Sequence, residues 1–206
     1  MANKTTGGLL VGAVVIAAVV YLAPEVVGKA GELIADITGA QDAVTVGSGN
    51  TAFMVAAEPQ PTVAACAEGE ILNDRQCGGI RVLIVDASRM PFIARNTKLA
   101  WESGQPAVLT ANRAKSRVNR AQACPPDFPR PHGGQCDEYP MASTDEGGKG
   151  ARAEEVPARE NQCQGPLYRS QYPPNGERFL VVISHPERVA ADAFAGTDLA
   201  RDKGWC

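Results

Sequence analysis

Between Gly134 and Gly148 the chain reads Gly-Gln-Cys-Asp-Glu-Tyr-Pro-Met-Ala-Ser-Thr-Asp-Glu-Gly-Gly. Two adjacent carboxylates, Asp137 and Glu138, stand just before Tyr139-Pro140. A second acidic pair, Asp145 and Glu146, runs straight into two glycines. So many acids and glycines suit a site that holds a divalent cation or moves a proton better than they suit packing. Phosphodiester hydrolysis needs positive charge on a phosphate oxygen, a group that readies the water, and help for the leaving oxygen. Hard cations such as magnesium take oxygen ligands. The candidate metal donors are Glu138, Glu146, Glu160 and the amide oxygen of Asn161, with magnesium or manganese as the expected ion and calcium as a further candidate. Asp137 and Glu138 are the candidate catalytic acids, and Asp137 is expected to position or deprotonate the attacking water. Arg152 is the candidate group for transition-state charge. The plainer alternative is a solvated loop, to which Asp145 is the most open. Asn161 has its own alternative as a helix cap.

A basic stretch precedes these acids: Arg113, Lys115, Arg117 and Arg120, with Arg130 beyond. On a helix, Arg113, Arg117 and Arg120 share a face at spacings of four and three. That face is the candidate substrate-binding surface for a phosphate backbone. Two histidines, His132 and His185, are too few for a histidine-rich zinc site. Ser143 has no nucleophile elbow around it. Rossmann and phosphate-loop fingerprints are absent as well.

The elements that must position these residues read as α+β. Ile80 to Val85 and Phe179 to Ser184 are compact strand signals, and Ala107 to Leu109 is a shorter one. Phe92 to Ser103 reads as a helix ending near Gly104. Ala111 to Ala123 lacks glycine and proline and reads as a basic helix. Arg152 to Val156 reads as a strand, so residues 137–157 are expected to form a hairpin turning at Gly147-Gly148. A helix or turn is expected at Gly165 to Tyr172, and a further helix from Glu187 to Ala195.

The 206 residues carry a formal charge of −3, which taken alone argues against a nucleic-acid partner. Five acids and only Lys4 and Lys29 precede Cys66; from there on, 18 acids face 18 basic residues. A neutral domain can still present a basic face. An apolar run of about 17 residues, Gly7 to Ala23, marks residues 1–23 as a signal peptide or an uncleaved apolar anchor helix. Residues 24–65 mix Gly, Ala, Ser, Thr and Pro and read as a flexible stalk. The folded domain is expected over residues 66–206. All six cysteines lie in it, which reads as up to three disulfides in an oxidising compartment. A bridge between Cys136 and Cys163 would tie together the two halves of the proposed site.

Three segments resemble the NucA/NucB family of extracellular bacterial deoxyribonucleases. They are Cys136-Asp-Glu-Tyr-Pro-Met-Ala-Ser-Thr-Asp-Glu-Gly-Gly-Lys-Gly, Val156-Pro-Ala-Arg-Glu-Asn-Gln-Cys-Gln-Gly and Asn175-Gly-Glu-Arg-Phe-Leu-Val-Val-Ile. Ala87-Ser-Arg-Met-Pro and the basic run Ala111 to Arg120 are similar too, so the resemblance spans roughly residues 80–184. It implies a small nuclease of the ββα-metal (His-Me finger) kind, with a carboxylate where that group has its catalytic histidine. Asp137 then takes the place of the family's essential aspartate, Glu138 follows it, and Asn161 matches the asparagine before the last helix. Two positions depart from the pattern. Gln171 is the nearest match to a further acidic residue, and Gln135-Cys136 stands where members often have Asp-Arg. Arg130 or Arg152 would replace that arginine in space.

The resemblance implies a metal-dependent endonuclease acting on DNA outside the cytoplasm; the apolar N-terminal run adds the expectation that it is secreted or membrane-anchored, and a monomer is expected. Two rivals are a nuclease toxin effector with an immunity or inhibitor protein, and a disulfide-stapled surface protein that binds calcium or nucleic acid without cutting.

Overall fold

The computed structural model describes residues 42–204. The apolar run of residues 7–23, most of the expected stalk's first half and Cys206 lie outside them. Within them the organising strand is the one with no polar break. Phe179-Leu-Val-Val-Ile forms the middle of a seven-residue strand, Arg178–Ser184, and all five side chains are buried. An unbroken apolar run is what a strand covered on both faces requires. Its parallel neighbour, Ile80–Asp86, pairs with it along its length, from Arg81 opposite Phe179 to Asp86 opposite Ser184.

In chain order the strands are β1 (Val44–Val46), β2 (Phe53–Val55), β3 (Gln76–Cys77), β4 (Ile80–Asp86), β5 (Val108–Thr110), β6 (Gln135–Tyr139), β7 (Arg152–Val156) and β8 (Arg178–Ser184). The helices are α1 (Gln60–Val63), α2 (Pro91–Glu102), α3 (Ser116–Ala123) and α4 (Ala158–Arg169). The main sheet runs β1-β2-β8-β4-β3. β5 pairs with the start of β8, and β2 with its end. Strands β6 and β7 form a separate antiparallel hairpin, with Asp137 opposite Glu154. The order hairpin then helix, β6-β7-α4, is the one expected around the acidic centre.

Helix α2 joins the two sheets. Ile93, Thr97, Ala100 and Trp101 are buried along one stripe, the spacing of a helix face turned to a core. Pro91 opens the helix, where its missing N–H is no loss. Trp101 Nε1 donates to the Tyr139 hydroxyl at 2.9 Å, which fixes α2 against β6.

Three expectations are corrected. The described part of the expected stalk is not loose, because β1 and β2 lie in the main sheet. Phe53 and Val55 are fully buried, and Phe53 sits opposite Ser184 of β8. Strands of only three residues leave little periodicity to read. Phe53→Ala is therefore expected to cost about 3–5 kcal/mol in equilibrium denaturation. A loss below ~1 kcal/mol would return this segment to a stalk. The basic run also differs, in that Arg113–Lys115 is a 3₁₀ turn and only Ser116–Ala123 is α-helical. Finally, no α-helix spans Glu187 to Ala195. A 3₁₀ turn, Pro186–Arg188, ends at Val189. The chain is then captured by α2, where Ala190 N–H donates to the Pro91 carbonyl and the Phe194 ring packs edge-on against Phe92.

Disulfides join Cys66 to Cys77 and Cys124 to Cys136, and Cys163 is disulfide-bonded as well. The expected Cys136–Cys163 bridge does not form. Side chains alternate along β6, and α4 packs on the face that carries Gln135 and Asp137. Cys136 therefore points the other way, towards α3, where Cys124 ends the helix. Among the described residues, no helix is long and apolar enough to cross a membrane.

Candidate active site

Strand β6 carries the sequence Gln-Cys-Asp-Glu-Tyr, and its last four residues are buried. A polar strand this deep needs partners for every charge. Asp137 is 1 % exposed and faces α2 and α4. Its Oδ2 accepts from Asn96 Nδ2 and its Oδ1 from Gln164 Nε2, each at 2.8 Å. Burial lifts its pKa to about 6, working against these two hydrogen bonds and the charge of Arg120. Behind Asp137, Arg152 donates to Asn96 Oδ1 and pairs with Glu154, which Arg95 also pairs. Arg152 thus reaches Asp137 through Asn96.

Glu138 lies on the opposite face of β6, pairs with Arg120, and has Cys124 Sγ 3.1 Å from its Oε2. Arg120 also donates to the Cys136 carbonyl at 2.7 Å. Burial, then the neighbouring Asp137 charge, pushes Glu138 up to about 8 against the pull of Arg120. The two acids thus sit back to back on one strand, with different partners.

Glu138 opens onto a cleft of about 750 Å³. Arg113, Arg117, Arg120 and Arg169 line it, with Gln164, Met141, Tyr168 and Tyr172. The three arginines expected on one helix face converge here although Arg113 belongs to the 3₁₀ turn. Arg113 is held by Asn175 and stacks over the Tyr172 ring at 5.0 Å. Lys115, the fourth expected substrate contact, instead pairs with Asp145 at 2.7 Å. That bond, followed by one from Asn112, holds Asp145 below the usual carboxylate range.

The hairpin turn behind the cleft depends on glycine. A Cβ on Gly147 would come within 2.3 Å of the Met141 carbonyl oxygen. Gly148 has a φ of +98° and abuts Asn119 and Gln122. Asn119 donates to the carbonyls of Ala142 and Thr144, which ties α3 to this turn.

Three expected metal donors stand elsewhere. Both Glu146 carboxylate oxygens accept from Thr110 N–H, so this side chain anchors β5. Glu160 is fully buried, and its Oε2 accepts from the N–H groups of Phe92 and Ile93. It caps α2 from a distance, accepting from two N–H groups of the helix's first turn that have no partner within the helix. Its Oε1 has no hydrogen-bond partner. Asn161, the third, donates to Gln135 Oε1 at 2.8 Å. His132 lies on an exposed loop, whose backbone is held by Glu155. The residues that sequence reasoning missed are Asn96 and Gln164, which hold Asp137. The available signal for Asn96 was a lone amide beside the apolar stripe of α2.

Burial raises the Glu160 pKa from 4.5 to about 8. Between those values the folded state binds the extra proton, so this residue makes stability fall as pH rises through the window and level off above it. Glu160→Gln keeps an acceptor for the two N–H groups and cannot ionise. The variant is expected to lose that slope and to exceed the parent at pH 9 by a few kcal/mol, on the order of the linkage from the shift. Urea melts of both proteins across pH 5–9 check it. Parallel stability curves would show that Glu160 does not carry the proton.

A buried acid pair beside an arginine-lined cleft is the arrangement of a site for a polyanion. The family model described as deoxyribonuclease NucA/NucB matches residues 92–182. The resemblance read from the sequence therefore holds over this span, which contains β6, β7, α3, α4 and every residue lining the cleft. Deoxyribonuclease activity is what that family implies. No curated protein matches the chain.

Proposed function

We propose that this protein is an exported, metal-dependent endonuclease that hydrolyses DNA, built on a ββα-metal arrangement of β6, β7 and α4. The observation that carries the reading is Glu138 at the floor of a cleft rimmed by four arginines, with Asp137 behind it on the same strand. Disulfides at Cys66–Cys77 and Cys124–Cys136 support an oxidising compartment.

Magnesium keeps several waters and takes one or two carboxylates together with substrate phosphates. Glu138, the acid of the pair that lines the cleft, fits that requirement, and manganese would take the same oxygen donor. A cation held there would supply charge to a phosphate oxygen and make a water more acidic. The chain's own groups do the rest. Arg113, Arg117 and Arg169 hold the phosphate backbone. Arg120 holds the Glu138 carboxyl in place at the cleft. Asp137, held by two amides and raised to about 6, is ionised at neutral pH yet a better proton acceptor than an ordinary aspartate of pKa ~3.9. Gln164 stands between Asp137 and the cleft. Rotation of its amide frees one carboxylate oxygen for the attacking water.

A plasmid-nicking assay with magnesium or manganese, with and without chelator, tests the reading. Conversion of supercoiled to open-circular plasmid is expected, and chelator should abolish it. Folded protein that nicks with neither metal would favour the non-enzymatic binding role. Arg117 is exposed on the rim. Arg117→Ala is expected to weaken DNA binding and to lower the slope of log affinity against log salt by about 1. The turnover rate at saturating DNA should change little.

A further inference from the structure

The Cys124–Cys136 bond borders the same cleft. A sulfur of each cysteine and a carboxylate oxygen of Glu138 all lie within 4.8 Å of one another. While the bond is closed, neither sulfur is a thiolate and neither can take a metal. We propose that Cys124, Cys136 and Glu138 form a binding site for a thiophilic divalent cation, zinc or cadmium, whenever that bond is open, and that occupancy silences the cleft.

The geometry survives opening of the bond because each sulfur is anchored independently of the other. Cys136 is a strand residue paired with Glu155 of β7. Cys124 ends α3, its N–H bonded to the Arg120 carbonyl. Helix α3 is itself fixed by the two Asn119 hydrogen bonds and by Gln122, which accepts from Lys149 N–H. The connection between the cysteines holds Pro125, Pro126, Pro129 and Pro131, residues that stiffen a chain through their fixed φ. Reduction therefore leaves two thiols facing one carboxylate. The sulfurs need only separate enough for metal–sulfur bonds of about 2.3 Å, and water completes a tetrahedral shell. An ion can enter through the cleft that Glu138 lines.

Two thiolates and a carboxylate select zinc or cadmium over magnesium, because soft sulfur donors do not suit hard cations. The same chain would thus hold two kinds of metal in two redox states. Before the bond forms, in a reducing compartment, the thiols and Glu138 take the soft cation. Glu138 is then withdrawn from the cleft and from Arg120. Exchange with a disulfide donor in an oxidising compartment then passes two electrons from the two thiolates to the donor, which leaves as its dithiol; the Cys124–Cys136 bond forms, the ion is released, and Glu138 returns to hard-metal chemistry. The silencing rests on the proposed nuclease reading, whereas the binding does not.

The test uses the full chain, reduced by a phosphine. The phosphine is oxidised to its oxide with oxygen from water, and the disulfide takes up two electrons and two protons. Cadmium is the probe, read by its ultraviolet thiolate charge-transfer band and by circular dichroism of the fold. The phosphine opens the Cys66–Cys77 and Cys163 bonds as well, so the titrations are compared: the reduced parent is expected to bind one equivalent more than reduced Cys124→Ser, while the oxidised parent shows no band. Cys124→Ser should lose this equivalent. Glu138→Gln should bind at least ~10-fold more weakly, about 1.4 kcal/mol. Zinc should stop plasmid nicking by the reduced parent in excess magnesium, and reoxidation by glutathione disulfide, which takes the two electrons and leaves as two glutathione thiols, should restore it.

A folded, reduced parent without the band overturns the proposal. So does a Cys124→Ser protein with an unchanged band, since other thiols would then be the ligands. A reduced chain that unfolds and is not refolded by cadmium overturns it too, because anchored sulfurs are its premise. Cadmium binding by a protein that never nicks DNA leaves this site standing and removes the nuclease reading instead. A reduced, zinc-loaded protein that nicks at the parent rate removes the silencing.

Discussion

Replacing Asp137 by asparagine is expected to lower the DNA-nicking rate at least ~100-fold, about 2.7 kcal/mol of barrier, with the fold and DNA affinity retained. The size of the side chain is unchanged, so the buried volume is kept. What changes is the hydrogen bonding. Both Asp137 oxygens accept from amide groups, Asn96 on one side and Gln164 on the other. Asparagine offers one acceptor and one donor, so one of these amides must turn over, and Gln164, at the cleft wall, is the freer. The negative charge and the proton acceptor are lost together. The metal concentration that gives half-maximal nicking should stay near the parent value, because Asp137 faces away from Glu138. Rates at saturating metal and DNA decide it. A rate within about threefold of the parent, less than ~0.7 kcal/mol, would remove Asp137 from the chemistry.

How much of this site was legible in the sequence depends on what kind of information each part carries. The strand runs at Ile80 and Phe179 are local signals, and both strands form where the apolar pattern placed them. The hairpin was legible because Gly147-Gly148 marks its turn and Arg152 to Val156 its return strand. Convergence of Arg113, Arg117 and Arg120 on one cleft was legible from spacing alone, although part of the helix is a 3₁₀ turn.

The metal donors were less legible, because one-dimensional clustering does not say which way a carboxylate points. Glu160 neighbours Asn161 in sequence, yet it turns into the core to cap α2. Glu146 neighbours Asp145, yet it binds the backbone of β5 while Asp145 pairs with Lys115. Each carboxylate is drawn to the nearest unsatisfied N–H or cation, and those lie on segments distant in sequence. The disulfide partner of Cys136 was lost for the same reason. A two-residue period decides the face of β6, but only the packing of α4 decides which face is the inner one. The buried β2 carries too few residues to announce itself against a glycine-rich background.

The second large effect is expected at Glu138. Glu138→Gln keeps the shape and a hydrogen bond to Arg120, but cannot ionise to give a cation its carboxylate. It also removes the one acid of the pair that lines the cleft. If Glu138 holds the hard cation, the variant should need at least ~10-fold more magnesium for half-maximal nicking, about 1.4 kcal/mol of binding. At magnesium well below the parent's midpoint the rate should fall by the same factor of at least ~10, about 1.4 kcal/mol. Excess metal should recover part of this loss, which it cannot do for Asp137→Asn. The two variants therefore separate on a metal titration. One moves the midpoint, and the other lowers the plateau. Glu138→Asp sharpens the contrast. It keeps the charge but withdraws it by one methylene, so its midpoint should fall between those of the parent and Glu138→Gln. A Glu138→Gln protein with the parent's midpoint and a lowered plateau would transfer the metal to another donor and leave Glu138 as a group acting through Arg120. The arginine's position supports the ordering, since Arg120 already bonds both Glu138 and the Cys136 carbonyl. Glu138→Gln leaves the Cys136 carbonyl bond untouched and keeps a hydrogen bond at 138, so the cleft wall stays in place while the metal-binding carboxylate is lost.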